Sequence, residues 1–174
     1  MSIEAFDSVT SSTDPAMIVV TTAWGGEADG CLVGFHSQSS MEPRRYAVWL
    51  SKANRTYRIA YRASHLAVHA LSEHDRDLAV LFGTQTGDDV DKLAHCAWRP
   101  GPAGVPLLSD CPAVMVLRRL TLLDEGGDHV CVVGEPGHAR SAGRFRPLRL
   151  SAVTDLRAGH PVGEQHDPPV WRRG

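Results

Sequence analysis

Two runs of strand-forming residues, Ala113 to Leu123 and His129 to Gly134, flank the turn segment Asp124, Glu125, Gly126, Gly127, Asp128. Aliphatic and β-branched residues crowd both runs, and the glycines can adopt the positive φ such loops require, so the segment predicts an antiparallel hairpin. A chain containing this hairpin is first of all a sheet. Met17 to Thr22 is a short apolar, β-branched run ending at the Gly25, Gly26 turn, and Cys31 to Phe35 follows Gly30; together they predict a second hairpin. Tyr46 to Leu50 reads as another strand, entered through Pro43, whose missing N–H confines it to a strand edge or beginning. His65 to Leu71 alternates loosely as a strand, and a last strand is expected within Phe145 to Leu150.

Helical signals are fewer. Asn54 can cap a helix whose Thr56, Ile59, Ala60 and Ala63 share one face. Ser72 with Asp75 resembles a capping box before a second helix, with Leu78, Leu81 and Phe82 as its apolar face and Gly83 as its stop. A short helical turn is expected around Asp88 to Lys92. The start of the chain is polar, Arg99 to Pro112 is a loop interrupted by Val105 to Leu108, and residues beyond about Gly159 form a polar tail. Many short strands with two or three helices at their connections predict a mainly β, antiparallel barrel with appended helices rather than a doubly wound sheet.

The 174 residues suit one domain, with its core between about residues 15 and 150. A hydrophobic share of 43% and a charged share of 22% place the chain among globular proteins. The net charge of −2 offers no clustered basic surface, which argues against nucleic acid or an anionic membrane as partner. Cys31, Cys96, Cys111 and Cys131 are widely spaced, without CxxC or a companion His at zinc spacing, and are expected to be reduced thiols. No apolar run approaches the ~20 residues of a membrane span, and no signal-peptide pattern opens the chain, so a cytoplasmic location is expected.

GxGxxG after a strand, GxxxxGK[ST], HExxH and GxSxG are all absent. A nucleotide-like ligand would need another phosphate device. One candidate is Ser51, Lys52, Ala53, Asn54, Arg55, Thr56, where a strand gives way to a helix and hydroxyls, cations and free N–H groups gather. An ordinary capped helix with solvated Lys and Arg carries the same residues, and the local sequence leaves both readings open.

The segment GCLVGFHSQSSMEPRRYAVWLSKANRT follows, without gaps, a pattern of Gly, a Thr/Ser-rich strand, a Ser-bearing turn, an acidic residue with Pro, an apolar strand, and Ser or Thr heading a helix. HLAVHAL, DLAVLFG and GDHVCVVGE follow in matching order. Over Pro15 to Leu150 the chain thereby resembles the flavin reductase-like family of FMN-binding split barrels. That resemblance implies an antiparallel, Greek-key-like split β-barrel and a homodimer that binds FMN, with FAD or a deazaflavin as alternatives in the same cradle. It implies that Leu32, Val33, Gly34 and Phe35 face the flavin ring. Ser37, Gln38 and Ser40 would reach the ribityl chain and phosphate, with Ser51, Lys52 and Thr56 closing the other side. His129 would stand as the catalytic residue where the nicotinamide of NADH or NADPH stacks, a monooxygenase being a partner for the reduced flavin.

Leu32 stands where the family favours Thr, Gly34 and Phe35 where it favours Ser, Asn or Ala, and Arg44 where it has a second Pro. These departures keep open a split-barrel protein that binds flavin or heme without efficient turnover. His129 has the alternative reading of a strand histidine satisfied by hydrogen bonds. Asp128 is expected to support its turn, and His36, inside the proposed flavin strand, is expected to face the surface. Trp24, Trp49, Trp98 and Trp171 could stack on a ring, but serve as core or interface anchors in most small domains.

Overall fold

The computed structural model describes residues 2–159. The tail expected beyond Gly159, with Trp171, lies outside the described residues.

Among the described residues nine strands form, and seven of them make one sheet: β1 (Ile18–Trp24), β2 (Glu27–Val33), β3 (His36–Met41), β4 (Arg44–Ser51), β5 (His65–Ala70), β8 (Ala113–Leu123) and β9 (His129–Ser141). The other two, β6 (Trp98–Pro100) and β7 (Pro106–Leu108), form a small hairpin. The helices are α1 (Ile3–Ser11), α2 (Arg55–Ala60) and α3 (Arg76–Thr84). The large sheet runs in the order β2-β1-β5-β8-β9-β4-β3, and every pairing in it is antiparallel.

The edge strands of that sheet, β2 and β3, are consecutive in the chain and separated only by Gly34 and Phe35. A flat seven-stranded sheet would hold its edges about 29 Å apart. Three Cα steps reach only about 11 Å, so the sheet must curl until its edges meet at the Gly34–Phe35 bend. The amide of Trp49 on β4 donates to the Phe35 carbonyl at 2.9 Å and fastens the bend to the barrel wall.

Alternation along the strands fills the barrel. Ile18, Val20, Cys31, Val33, Val48, Leu50, Leu66, Val68, Leu117, Val130 and Val132 form one buried cluster with Tyr57 and Ala60 of α2. Strand β1 is buried on both faces, because Met17 and Val19 face outward beneath Phe82 and Ala79 of α3. This double burial explains why Met17 to Thr22 is a continuous apolar run rather than an alternating one. Gly30 permits the close approach of α3, since a Cβ there would lie 2.9 Å from both Phe82 Cε1 and Thr21 Cγ2.

The two expected hairpins and the β4 and β5 strands form where the sequence places them, within a few residues, while β9 runs on to Ser141. The segment Phe145 to Leu150 makes only isolated bridges, Ser72 to Pro147 and Ala16 to Arg149, and ends in a 3-10 turn. Gly83 lies within α3, which continues to Thr84. The capping-box bonds exist, with Asp75 Oδ2 accepting from both the amide and the hydroxyl of Ser72, but they brace the turn before α3, which begins only at Arg76. The helical turn expected at Asp88 to Lys92 forms later, as a 3-10 turn over Lys92–His95.

Candidate functional site

The bend between β2 and β3 opens onto a cleft of about 330 Å³. Its apolar wall is Met17, Leu32, Val33, Phe35 and Leu150; Trp49 and Ser51 of β4, Asn54, Asp128 and His129 complete it. A smaller hollow of about 210 Å³ adjoins it, sharing Met17, Leu32, Asn54, Leu150 and Ala158. Gly34 and Phe35 belong to neither neighbouring ladder. Among the described residues their N–H groups find no backbone acceptor. An apolar slot with unpaired main-chain donors on its rim suits a flat heteroaromatic ring, whose faces need apolar cover and whose edge needs hydrogen bonds.

Antiparallel pairing places His129, the first residue of β9, opposite Ser51, the last of β4. Its Nδ1 lies 2.9 Å from Asp128 Oδ1, and the Phe35 ring meets it edge-on with centroids 5.3 Å apart. The hydrogen bond from His129 holds the Asp128 carboxyl below its ordinary range.

Of the residues singled out from sequence, Leu32, Val33, Gly34, Phe35, Ser51 and His129 converge on this cleft. Ser37, Gln38 and Ser40 do not line it: they lie on β3, where Ser37 Oγ donates to the Gln38 carbonyl and Gln38 Nε2 to the Ser40 carbonyl. Nor do Lys52 and Thr56. Lys52 is buried, with Nζ 2.8 Å from Asp124 Oδ1. Thr56 is fully buried and donates to Asp29 Oδ2 at 3.2 Å. α2 has only six residues, and Asn54 makes no side-chain capping bond, so the helix start offers little field for an anion.

His36 corrects an expectation. It turns inward, with Nε2 2.7 Å from the Ala16 carbonyl and Nδ1 2.7 Å from the Tyr46 hydroxyl. A carbonyl only accepts, so Nε2 carries the proton and Nδ1 accepts from Tyr46, while burial lowers the ring's pKa.

Sequence reasoning missed a buried ion pair on β2. Asp29 on β2 meets Lys92 Nζ at 3.2 Å, both almost wholly buried, and Lys92 also donates to the Gln85 carbonyl. Charged residues inside a strand and a polar turn carry no pattern that announces such a pair. Cys31, two residues along β2, has its thiol pushed up to about 12, chiefly by burial.

A larger cleft of about 570 Å³ lies elsewhere, lined by Arg55, Trp98 and the carboxylates of Glu27, Asp88, Asp89 and Asp91. Its four carboxylates outnumber the guanidinium of Arg55, which pairs with Glu27 at 3.1 Å, and that of Arg58, which pairs with Asp88, and so make it a poor host for a phosphate. Among the described residues no group of three or more His, Cys, Asp or Glu side chains is placed to hold a metal, and no helix is long and apolar enough to cross a membrane.

A closed antiparallel barrel with a slot at the bend joining its edge strands defines the class: a split β-barrel. The sequence profile of the flavin reductase like domain matches residues 11–150, and the chain belongs to that family. It is 31% identical over 119 residues to the "Probable flavin reductase" of Rhizobium meliloti, covering 66% of this chain and 37% of that protein. It is 29% identical over 133 residues to the reductase subunit HsaB of a flavin-dependent monooxygenase from Mycobacterium tuberculosis, covering 74% of this chain and 67% of that one. Among solved structures it resembles the FMN-binding protein from Thermus thermophilus with bound 1-cyclohex-2-enone, with a TM-score of 0.70 and 22% identity over 78% of this chain and 79% of that one. The chain thus spans little more than a third of the Rhizobium flavin reductase.

Proposed function

We propose that the chain is an NAD(P)H-dependent flavin reductase that holds FMN in the cleft at the β2–β3 bend. The observation that carries this reading is the convergence, in one apolar slot, of the unpaired Gly34 and Phe35 amides with His129. Leu32, Val33 and Phe35 would cover the ring, Gly34 and Phe35 would supply donors to its edge, and Ser51 with Asn54 would meet its polar end. Fixed main-chain donors suit a ring that gains negative charge on reduction, because they need no reorganisation. A bound flavin supplies the hydride-accepting chemistry, and the protein's work is orientation and exclusion of water. His129 stands where it can orient the nicotinamide or exchange a proton through its free nitrogen.

The name of the Mycobacterium relative supports a monooxygenase as recipient of the reduced flavin. The stripe Ile3, Phe6 and Val9 on α1, a helix with no buried residue, supports a homodimer. Ser37, Gln38 and Ser40 remain within reach of the proposal only if the ligand's tail runs along β3.

Purified protein with excess FMN should consume NADH or NADPH, and His129→Ala should lower that turnover by about 10²-fold with little change in flavin affinity. Tight FMN binding without consumption of either nicotinamide would instead favour a flavin-holding protein. An unchanged rate in His129→Ala would return that residue to a structural role.

A further inference from the structure

The turn carrying His129 is fastened to the end of β4 in three ways. Ser51 pairs with His129 across the β4–β9 ladder. The Lys52 amide donates to the Asp128 carbonyl at 2.9 Å. The buried Lys52 ammonium reaches back to Asp124 at 2.8 Å. Lys52 therefore holds both ends of the turn: its amide bonds the Asp128 carbonyl and its buried ammonium pairs with Asp124, so a shift of the turn against the cleft would break one contact or the other.

The strongest partner of the Asp128 carboxylate is His129, and its bond within the turn is to its own amide. A second turn bond belongs to Asp124, whose Oδ1 accepts from the Gly126 amide at 2.9 Å. Asp128 accepts from His129 Nδ1, also at 2.9 Å. An ionised carboxylate only accepts, and a neutral imidazole has a single N–H, so the proton must sit on Nδ1 and the lone pair on Nε2. Among the described residues Nε2 has no hydrogen-bond partner. The Phe35 ring, edge-on at 64°, limits rotation of the imidazole from another side.

We propose that Asp128 is a positioning residue of the cleft: by accepting the Nδ1 proton of His129 it fixes the imidazole's tautomer and presents Nε2 as the free ring nitrogen to the ligand. A neutral His129 then offers an acceptor to the ring bound there, and a protonated one offers a donor whose charge Asp128 balances. The inference rests on reading this cleft as the flavin site. It gives Asp128 a task beyond the support of its turn expected from the sequence.

The test uses Asp128→Ala and Asp128→Glu in the full chain, with two readouts. Nitrogen-15 NMR of the His129 ring in flavin-free protein should find the Nδ1–H tautomer in the wild type and in Asp128→Glu, and a shift to the Nε2–H tautomer in Asp128→Ala. With FMN bound, Asp128→Ala should lower NAD(P)H turnover by about tenfold or more with FMN Kd changed less than about twofold, and Asp128→Glu should restore it. Asp128 is exposed, so the substitutions leave the core intact. An Nε2–H tautomer in the wild type, or an unchanged tautomer in Asp128→Ala while flavin binding persists, overturns this inference alone. Failure of the wild type to bind any flavin overturns the functional reading and this role with it, whatever the tautomer.

Discussion

His69 is wholly buried, with Nδ1 donating to the Val19 carbonyl at 3.1 Å and Nε2 accepting from the Leu108 amide at 3.0 Å. It stitches the β6–β7 hairpin to the barrel, and desolvation lowers its pKa from 6.5 to about 4. The native state therefore binds fewer protons than the unfolded state between those values, and stability must fall as pH drops through that window. The loss approaches about 3 kcal/mol once the pH is below both values. His36, also lowered by burial, adds in the same direction. Urea denaturation at pH 7 and pH 5 should show about 2 kcal/mol of this loss, and His69→Gln, which can keep both hydrogen bonds without titrating, should flatten it. An equal slope in both proteins would mean that the acid sensitivity originates elsewhere. Nothing in the sequence distinguishes His69 from His65, since both lie on one strand. They share one face of it, and their fates were set by how far along that face β7 reaches, since Leu108 of β7 bonds His69. His129 was singled out through the family likeness of GDHVCVVGE, since its place at the start of a strand does not by itself mark it, and the β4 register brings it to the cleft.

Among the elements, those with strong apolar periodicity were readable and those without it were not. β3, the sequence HSQSSM, reads as a Ser-bearing turn, yet it forms a strand because β4 supplies it with a hydrogen-bonding partner along its length. Edge strands facing solvent need no apolar pattern. α1 escaped notice because its apolar stripe meets no core. The reverse error arose at Phe145 to Leu150, where strand-like residues pack against Met17 and Leu71 but find no continuous edge to join. The tie between β2 and the polar segment after α3 is the Asp29–Lys92 pair, with Thr56 of α2 completing it. Lys92→Met would strand a buried carboxylate and should cost about 3–5 kcal/mol in chemical denaturation. The double variant Asp29→Leu with Lys92→Met, which removes both charges, should recover much of that loss. A single variant as stable as the wild type would show that the pair contributes nothing to holding β2.

For the whole molecule, closure at Gly34–Phe35 is the event that turns a sheet into a site. The residues that make the slot lie on β2, β4, β9 and the segment around Leu150, far apart in the chain, and they meet only because the edge strands join. The sequence disclosed the strands and the family likeness, while a phosphate cradle at Lys52 and Thr56 rested on residue type and on that likeness, neither of which reveals burial. Burial gave both side chains to other partners, Asp124 and Asp29. The remaining claim is that this slot, and not the larger acidic cleft beside Arg55, receives the flavin. A crystal of the protein soaked with FMN tests it most directly. The isoalloxazine ring should lie against Gly34 and Phe35 with His129 at its side; a ring seated among Asp88, Asp89 and Trp98, or a slot still filled by its own side chains, would contradict this assignment.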